Sequence, residues 1–396
     1  MALPKITINR GQGGLGRPLA SKDHISGFVM PYTNAGLPSG FATDDRIKKV
    51  FSIEEAEALG IVEGGANTAI LWYHINQYFA KQPKGELFIN LIDNTSIDYS
   101  EVVTVQEFAN GEIRQLAFYD GGTAFATATL STLQGHADTL EAQDMPLSIL
   151  YAGNFEGISD IASLDDLRAL SNKSVSVVIG EDGSNAGAAL RASESQSITA
   201  IGTLLGVVSE AQVHLNVGWV GKYDLVDGLE FDEPALALSS ATVLVKSQAK
   251  AALDSLNDKG YIFIRKQVGT NGSYFNDSHT AIAVTSDFAY IENNRTMDKA
   301  VRGVRTFLLP NLNSPLYVNP DGTLTADVIA EIKNDASKHL EQMERDGELS
   351  AFEVIINPEQ DVLTTSQLSL AIVLVPVGVG RQIVVNIGFA VKLSNA

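Results

Sequence analysis

Residues 147–179 read LSILYAGNFEGISDIASLDDLRALSNKSVSVVI, and this stretch carries the pattern that decides the fold. Leu147–Ala152 and Ser174–Ile179 are short apolar runs with the length of buried strands. Leu164–Leu170 lies between them and predicts a short helix. A strand, a helix and a second strand in this order are typical of a sheet that is covered by helices. The stretch therefore predicts a layered α/β domain.

The alternation of strands and helices continues on both sides of this stretch. Ser52 and Glu55 have the spacing of a capping box, and Gly60 is a natural helix end. The predicted strands are Glu86–Ile92, Ile113–Tyr119 and Tyr261–Arg265, and the predicted helices are Asp44–Gly60, Ala66–Lys81, Glu101–Ala109, Thr127–Ala142, Ser193–Val213 and Val243–Leu256.

The C-terminal third has a different pattern. Tyr290–Leu309 predicts a helix that ends before Pro310. Thr325–Arg345 predicts a surface helix with Thr325 as N-cap. Its apolar stripe consists of Val328, Ile329, Ile332, Ala336, Leu340 and Met343. Three strands are predicted after it: Ala351–Asn357, Gln367–Val375 and Gln382–Leu393. This part of the chain predicts an α+β domain.

Composition excludes several classes of protein. The 396 residues include 28 Lys+Arg and 47 Asp+Glu, which gives a formal charge of −19. Such a charge argues against a nucleic-acid partner and against attachment to an anionic membrane. The sequence contains no Cys. Disulfides and Cys-based metal sites are excluded, and no transmembrane segment or targeting signal is visible. We expect a chain folded in the cytoplasm, with no cofactor and no metal.

The last predicted strand is the most informative feature. Its alternate residues Ile383, Val385, Ile387, Phe389, Val391 and Leu393 face one way. Burying six such side chains is worth roughly 9–18 kcal/mol, and a chain terminus that exposed them would aggregate. The strand must pair either within its own sheet or with the sheet edge of a neighbouring subunit. The N-terminal strand, which contains Ile6 and Ile8, poses the same question.

Motifs for chemistry are weak. Gly11-x-Gly13-x-x-Gly16 matches the dinucleotide-binding spacing, but Arg17-Pro18 follows where a helix would have to begin, so a flexible linker is the preferred interpretation. Asp165-Asp166 is interpreted as helix N-terminal charge. The polar loop Ser273–His279 has no second partner motif. The six histidines are interpreted as surface or core residues: His24, His74, His136, His214, His279 and His339.

Ordered runs in the C-terminal part carry a family resemblance. They are SYFND at 273–277, SDFAYI at 286–291, NRTMDKA at 294–300, the strand that ends at Asn357-Pro358, IVLVPVG at 372–378 and IVVNIGF at 383–389. In this order they resemble the C-terminal domain of contractile phage tail sheath proteins. The compact form is similar to the sheaths of phage-like contractile injection systems.

The resemblance implies a fold and a division of the chain. The fold class is α/β: a layered subtilisin-like α/β domain plus a C-terminal α+β sheath domain, with extended N- and C-terminal strand arms. The expected divisions are an arm over 1–20, a helical segment over 21–86 that packs on the core, the α/β domain over 87–285, the sheath domain over 286–380 and an arm over 381–396.

The resemblance also implies a mechanical function. Subunits would form stacked rings or a helical tube around a tail tube, and contraction would drive that tube through the host envelope. The partners implied are further copies of the chain, the tail tube protein, and the baseplate and tail terminator proteins. The location implied is the tail of a virion, assembled in the host bacterial cytoplasm.

Site residues follow from the same resemblance. The arms would add strands to neighbouring sheets through Ile6, Ile8, Ile383, Val385, Ile387, Phe389 and Val391. Glycines that link the arms would act as hinges: Gly11, Gly13, Gly14, Gly16, Gly378 and Gly380. The candidate contacts with the tube lie on the helix 325–345: Lys333, Lys338, Glu341 and Arg345. A solvated helix face is an equal interpretation of these four.

Two other classes of function stay open. An α/β enzyme, hydrolase-like, would use the Ser273–His279 loop, although no Ser-His-Asp set in protease context is visible. Another phage tail or baseplate structural protein is the second alternative. We do not expect an enzyme.

Overall fold

The computed structural model describes residues 22–239 and 243–389. Within these ranges the strands are β1 Ile25–Tyr32, β2 Ile47–Val50, β3 Glu86–Asp93, β4 Gln115–Ala124, β5 Ser148–Asn154, β6 Ser171–Asn172, β7 Val175–Val178, β8 Gly180–Asp182, β9 Pro234–Leu236, β10 Val243–Leu244, β11 Tyr261–Ile262, β12 Ile264–Arg265, β13 Tyr274–Phe275, β14 Ala281–Ile282, β15 Leu349–Ile356 and β16 Leu370–Pro376. The α-helices are α1 Ile53–Ala58, α2 Ala69–Lys81, α3 Glu101–Phe108, α4 Thr127–Ala142, α5 Ala186–Glu194, α6 Ile201–Glu210, α7 Lys250–Asp258, α8 Ile291–Leu308, α9 Ala326–Arg345 and α10 Val362–Thr365.

A seven-stranded sheet organises the larger part of the chain. Its order is β11-β7-β5-β4-β1-β3-β2, and its strands are parallel except β2, which pairs antiparallel with β3. β1 lies inside this sheet, between β4 and β3. Residues 21–86, which the sequence analysis assigns to a separate helical segment, therefore supply two strands of the α/β sheet in their described part.

Helices cover both faces of the sheet, as the α/β prediction requires. One apolar core lies against α2 and α6, and the other lies against α3 and α4. Successive residues of β4 show how one strand serves both cores, because Leu116 and Phe118 belong to the second core and Ala117 and Tyr119 to the first. A strand that is buried on both faces reads as a continuous apolar run, which is why these strands were recognisable.

The contact between α2 and α6 depends on two glycines. A Cβ at Gly202 would lie 2.7 Å from the Cα of His74 and closer still to its carbonyl oxygen, and a Cβ at Gly206 would lie 2.7 Å from the carbonyl oxygen of Tyr78. No real side chain fits at such distances. The four-residue spacing on one helix face brings the α6 backbone directly onto α2.

The C-terminal unit is built from α8, α9 and the hairpin β15–β16. Thr325 caps α9, and its side chain accepts from the Val328 amide at 3.4 Å. The predicted stripe of α9 is buried at Val328, Ile332, Ala336, Leu340 and Met343. These side chains form two small cores with the hairpin and α8. The helix and its buried face are confirmed.

Charged side chains join the C-terminal unit to the α/β domain. Lys299 of α8 bridges Asp23 at 2.7 Å and Glu348 at 2.6 Å. Arg295, which is buried, donates to the Ala211 carbonyl at 3.1 Å. Arg305 pairs with Asp144 at 2.8 Å. Since these groups come from both parts, the junction is a polar interface between two apolar cores.

Two predicted helices are wrong because tertiary pairing competes for their residues. Asp44–Gly60 is helical only from Ile53, after the Ser52 cap, since residues 47–50 pair with β3 instead. Ser193–Val213 is two helices, α5 and α6. Ser195 is left-handed at φ +54°, and the amide of Ala200 donates to the Gly180 carbonyl at 2.7 Å.

Three further boundaries differ for the same reason. Val243–Leu256 begins as β10, which pairs with β9, and becomes helical only at Lys250. Leu164–Leu170 lies in a region of two 3₁₀ turns, Ile161–Ser163 and Leu167–Ala169. Tyr261–Arg265 is split, because β11 joins the large sheet whereas β12 pairs with β13.

His74 is an internal histidine without a described hydrogen-bond partner. Its ring lies 4.5 Å from that of Tyr119 and 5.6 Å from that of Phe28, and neither ring nitrogen is bonded. Burial lowers the pKa of His74 to about 3. Of the two interpretations, surface or core, the structure places His74 in the core. Among the described residues, no helix is both long and apolar enough to cross a membrane.

Gly202→Ala is expected to destabilise the fold by about 1–3 kcal/mol, because the added methyl group pushes α6 away from α2. Urea unfolding followed by circular dichroism measures the change. Gly135→Ala is the matched control, since Gly135 lies in α4 with nothing within 4 Å of its would-be Cβ. The control should be neutral or more stable by up to about 1 kcal/mol. Equal effects of the two variants would contradict the close helix contact.

Acid should destabilise the protein through His74. The unfolded state takes up a proton as the pH falls through the ordinary value of 6.5, whereas the folded state does so only at a pKa of about 3. Stability from this group is therefore present above pH 6.5 and declines as the pH falls toward 3. His74→Leu should flatten the decline of the urea midpoint between pH 7 and 5. Parallel pH profiles for both proteins would contradict this assignment.

Candidate functional site

The hairpin β15–β16 is an incomplete sheet. Its strands pair antiparallel from Leu349↔Pro376 to Ile356↔Leu370, with an irregularity between Leu349 and Ala351. In the described chain neither outer edge has a further strand. One face packs on α8 and α9, whereas Ile355, Val373 and Val375 are exposed on the other. A two-stranded sheet is marginal by itself, and an open apolar edge is a template for pairing.

An apolar groove lies between β16 and α8. It encloses about 460 Å³. Its lining is Met297, Ala300, Val301, Val304 and Leu340 from the helices and Ile372 and Leu374 from β16, with Asp144 and Arg305 also present. Met297 and Val301 are partly exposed in it. The groove therefore offers apolar contacts beside a strand edge that has free backbone groups.

The C-terminal arm begins beyond this hairpin. Residues 382–389 have no strand partner within the described chain, and Ile383, Val385, Ile387 and Phe389 are 68–112 % exposed. Gln382–Leu393 is thus not a strand of the chain's own sheet over its described part, and Val391 lies outside the described residues. The alternating apolar face remains without cover.

Arg381 holds the start of this arm. Its Nε donates to Oδ2 of Asp277 at 2.8 Å, and its Nη2 donates to Oε1 of Glu292. The guanidinium carbon lies 3.4 Å from the ring centroid of Tyr290. Burial raises the pKa of Glu292, while Arg381 opposes the shift. For Asp277 burial is outweighed by the charges of His279 and Arg381, and the pKa lies below its ordinary value.

A second layer of contacts orients the two carboxylates. Nδ2 of Asn216 donates to Oδ1 of Asp277 at 2.6 Å and to Oε1 of Glu292 at 3.2 Å. The Ser278 amide donates to Oδ1 of Asp277 at 2.8 Å, and its hydroxyl donates to Glu292. The acidic socket is therefore built by the loop 276–279, the start of α8 and Asn216.

The loop Ser273–His279, proposed as an enzyme site, is part of this structural network. The hydroxyl of Ser273 donates to the Phe231 carbonyl at 2.7 Å. His279 lies between Arg168 and Asn257, with Nε2 3.0 Å from Oδ1 of Asn257, and burial lowers its pKa to about 4. The side chains of Ser273 and His279 are thus hydrogen-bonded within the protein, and nothing in the described geometry of the loop favours catalysis. Across the described residues, no group of acidic and histidine side chains is arranged to hold a metal ion.

The remaining predicted positions are separated. Lys333, Lys338, Glu341 and Arg345 lie on the exposed face of α9, where Arg345 pairs with Glu341 at 3.7 Å and Lys338 with Asp335 at 2.6 Å. Gly378 and Gly380 lie between β16 and Arg381, without positive φ. Ile6, Ile8, Gly11, Gly13, Gly14 and Gly16 lie outside the described residues.

Arg381 and the groove were not identified from the sequence. A signal for Arg381 existed, because it is the only charged residue between Asp361 and Lys392. A lone cation in an apolar segment needs a partner when it is packed against the protein. The groove had no such signal, because its residues belong to α8, α9 and β16 and meet only in the tertiary structure.

Two family models match the chain, one in each part. The model described as DUF2586, N-terminal domain, matches residues 3–279, and the model described as DUF2586, C-terminal domain, matches residues 287–394. No curated protein matches the sequence.

Solved structures share the fold over nearly the whole chain. The helical sheath of the anti-feeding prophage (AFP) in its contracted state is 15 % identical with a TM-score of 0.65, over 98 % of this chain and 99 % of that one. The PVC sheath complex of an extracellular contractile injection system, also contracted, is 15 % identical with a TM-score of 0.62, over 99 % and 98 %. The six-fold symmetrised AFP baseplate is 14 % identical with a TM-score of 0.59, over 98 % and 99 %.

Deleting residues 382–396 is expected to leave the isolated chain folded, with a free energy of unfolding within about 0.5 kcal/mol of the full chain. The described part of this segment, 382–389, buries little and makes no backbone pairs. Thermal and urea unfolding measure the effect. A large loss of stability would show that the arm belongs to the chain's own core.

Proposed function

The chain belongs to the DUF2586 family, and we propose that it is the structural subunit of a contractile tail sheath. Copies polymerise as stacked rings or a helical tube around a tail tube, and contraction drives that tube through a cell envelope. The observation that carries the proposal is an open strand edge beside an apolar groove, in a chain that also exposes a strand-like arm. The fold shared with two sheath structures supports it.

The arm and the groove are complementary in pattern. Side chains on one face of a strand recur about every 6.8 Å, so Ile383, Val385 and Ile387 of one copy can follow the groove along α8. At the same time the arm backbone pairs with the free edge of β16. Each fully buried side chain of this size contributes about 1.5–3 kcal/mol, and a one-residue slip would turn the apolar face outward. The pairing is therefore both favourable and specific in register.

The partner in this pairing is a second copy. Within one chain, residues 377–381 run from β16 to the socket that binds Arg381, and residues 382–389 have no strand partner. The arm of one chain thus leaves its own groove open for the arm of another. The N-terminal arm, in which Ile6 and Ile8 precede the glycine-rich link 11–16, joins a neighbour in the same way. Interlaced arms keep subunits linked while their bodies reorient.

Further partners follow from the assembly. The exposed face of α9, with Lys333, Lys338, Glu341 and Arg345, contacts the tail tube. The ends of the sheath meet baseplate and tail terminator proteins, and the assembled protein lies in the tail of a virion or a related injection particle built in a bacterial cytoplasm. A surface with an excess of 19 negative charges keeps free subunits apart until assembly begins.

Val301→Asp is expected to prevent tube formation, because it places a charge in the apolar groove where the arm would pack. The purified chain at high concentration is examined by negative-stain electron microscopy and sedimentation velocity. The wild type should form rings or tubes, and the variant should stay monomeric with an unchanged thermal midpoint.

Val268→Asp is the matched control, since Val268 is a fully exposed valine outside the groove. It should assemble like the wild type. Tubes of Val301→Asp indistinguishable from the wild type would contradict pairing at this groove. A wild-type chain that stays monomeric at all concentrations would contradict the sheath function.

A further inference from the structure

The link between hairpin and arm is hydrogen-bonded to the body through one side chain, and Val377 and Val379 lie half-buried beside it. Between Val377 and Phe389, the described residues make side-chain hydrogen bonds to the rest of the protein only through Arg381. The amide of Arg381 bonds only within the link, to the Val379 carbonyl at 3.1 Å. Beyond it, residues 382–389 are exposed. Arg381 is therefore the last described residue of the chain that is hydrogen-bonded to the body, and the residues after it are exposed.

The contact made by Arg381 restricts the side chain strongly. Two nitrogens of one guanidinium bind two carboxylates, and the flat face of the group lies on Tyr290. Charge-assisted bonds from a rigid planar fork fix both position and orientation, and stacking on an aromatic ring adds a third restraint. A lysine in this place could satisfy the charge but not the geometry.

The socket is prepared for a cation. Glu292 is 2 % exposed and Asp277 is 12 % exposed, and Asn216 and Ser278 hold both carboxylates in place. Two carboxylates so close together and so far from water require a positive partner. Arg168 is directed to His279 and to the carbonyl oxygens of Thr280, Ile282 and Ala289, so it does not fill this role.

The socket also lies where the two parts of the chain meet. Asp277 comes from the loop between β13 and β14, near the end of the N-terminal part, and Glu292 comes from the first turn of α8. Arg381 follows β16 by five residues and thus ties the end of the hairpin to both. A force on the arm reaches this three-way contact before it reaches the strand pairs of β16.

We propose that Arg381 is an anchor that fixes the root of the C-terminal arm to the body, so that the arm pivots at residues after Arg381 and not at Gly378 and Gly380. The role of the arm in linking subunits rests on the proposed sheath function, but the anchor itself is a property of the single chain. In the assembly, Arg381 transmits a pulling force from a neighbouring subunit to the α/β domain and α8. The strand pairs of the hairpin β15–β16 then carry less of this force.

The absence of cysteine allows a direct test in the full-length chain. Val384→Cys on the arm and Lys250→Cys on α7, both at exposed positions, provide two spin-label sites for pulsed electron paramagnetic resonance. Position 384 is three residues beyond Arg381 but eight beyond Pro376. A flexible chain spreads over about 5–6 Å times the square root of its length, so the spread at position 384 is about 10 Å with the anchor and about 16 Å without it.

Arg381→Gln in this labelled chain should widen the distance distribution about 1.6-fold. Arg381→Lys should widen it by an intermediate amount, because the charge remains and the two-point geometry is lost. Gln382→Ala, one residue along, is the control and should leave the distribution unchanged. Near-ultraviolet circular dichroism shows whether each variant is folded. If Arg381→Gln does not fold, the width of the distance distribution of Arg381→Lys tests the anchor.

Distributions for both Arg381 variants that superimpose on the control would overturn the anchor. The measurement uses dilute, monomeric protein, so its outcome does not depend on assembly. Widening in a chain that never forms tubes supports the anchor and contradicts only the sheath function. If tubes form, those of Arg381→Gln should dissociate in urea several-fold faster than those of Gln382→Ala, and equal rates would contradict the proposed transmission of force through Arg381.

Discussion

A β-strand needs partners for its backbone N–H and C=O groups, and the described residues of the C-terminal part do not supply all of them. The hairpin β15–β16 has free edges, and the arm after Arg381 has the alternation of a strand without a described sheet to join. Each feature alone would be an aggregation hazard. In the proposed assembly they form one intermolecular sheet, in which each supplies the backbone partner that the other lacks.

The α/β domain manages its edges differently. Its large sheet ends on one side in β2, a four-residue strand that carries Lys48 and Lys49, and on the other side in β11, a two-residue strand. Short, charged edge strands discourage further pairing. By contrast β16 is seven residues long and exposes Val373 and Val375. The contrast within one chain supports the proposal that β16 is the edge used for association.

Buried charge joins the separate elements of this protein at defined points. Desolvating an ion pair costs about as much as the pair returns, so such pairs are best understood as devices that select one arrangement. Lys299 with Asp23 and Glu348 sets the orientation of α8 on the α/β domain, and Arg381 with Asp277 and Glu292 sets where the arm leaves it. The apolar cores stabilise the fold, and these polar contacts fix the positions of α8 and of the start of the arm, which would transmit force in the proposed assembly.

Elements with local sequence signals could be predicted from the amino-acid sequence alone. Thr127–Ala142 and the Thr325 cap with its buried stripe were predicted correctly because helix periodicity and caps are written in neighbouring residues. The doubly buried strands were recognisable as apolar runs. Residues 44–50, 195–200 and 243–249 were misassigned because their backbone partners lie far away in the chain, and tertiary pairing overrides weak helix propensity. Only the tertiary structure decided that α8 and β16 form a groove, that the polar loop 273–279 is a structural socket, and that the lone Arg381 completes it. Contacts between distant residues leave no periodic trace in the sequence. The alternation of residues 383–393 is therefore visible in the sequence, whereas the lone Arg381 signals only that some anionic partner is needed.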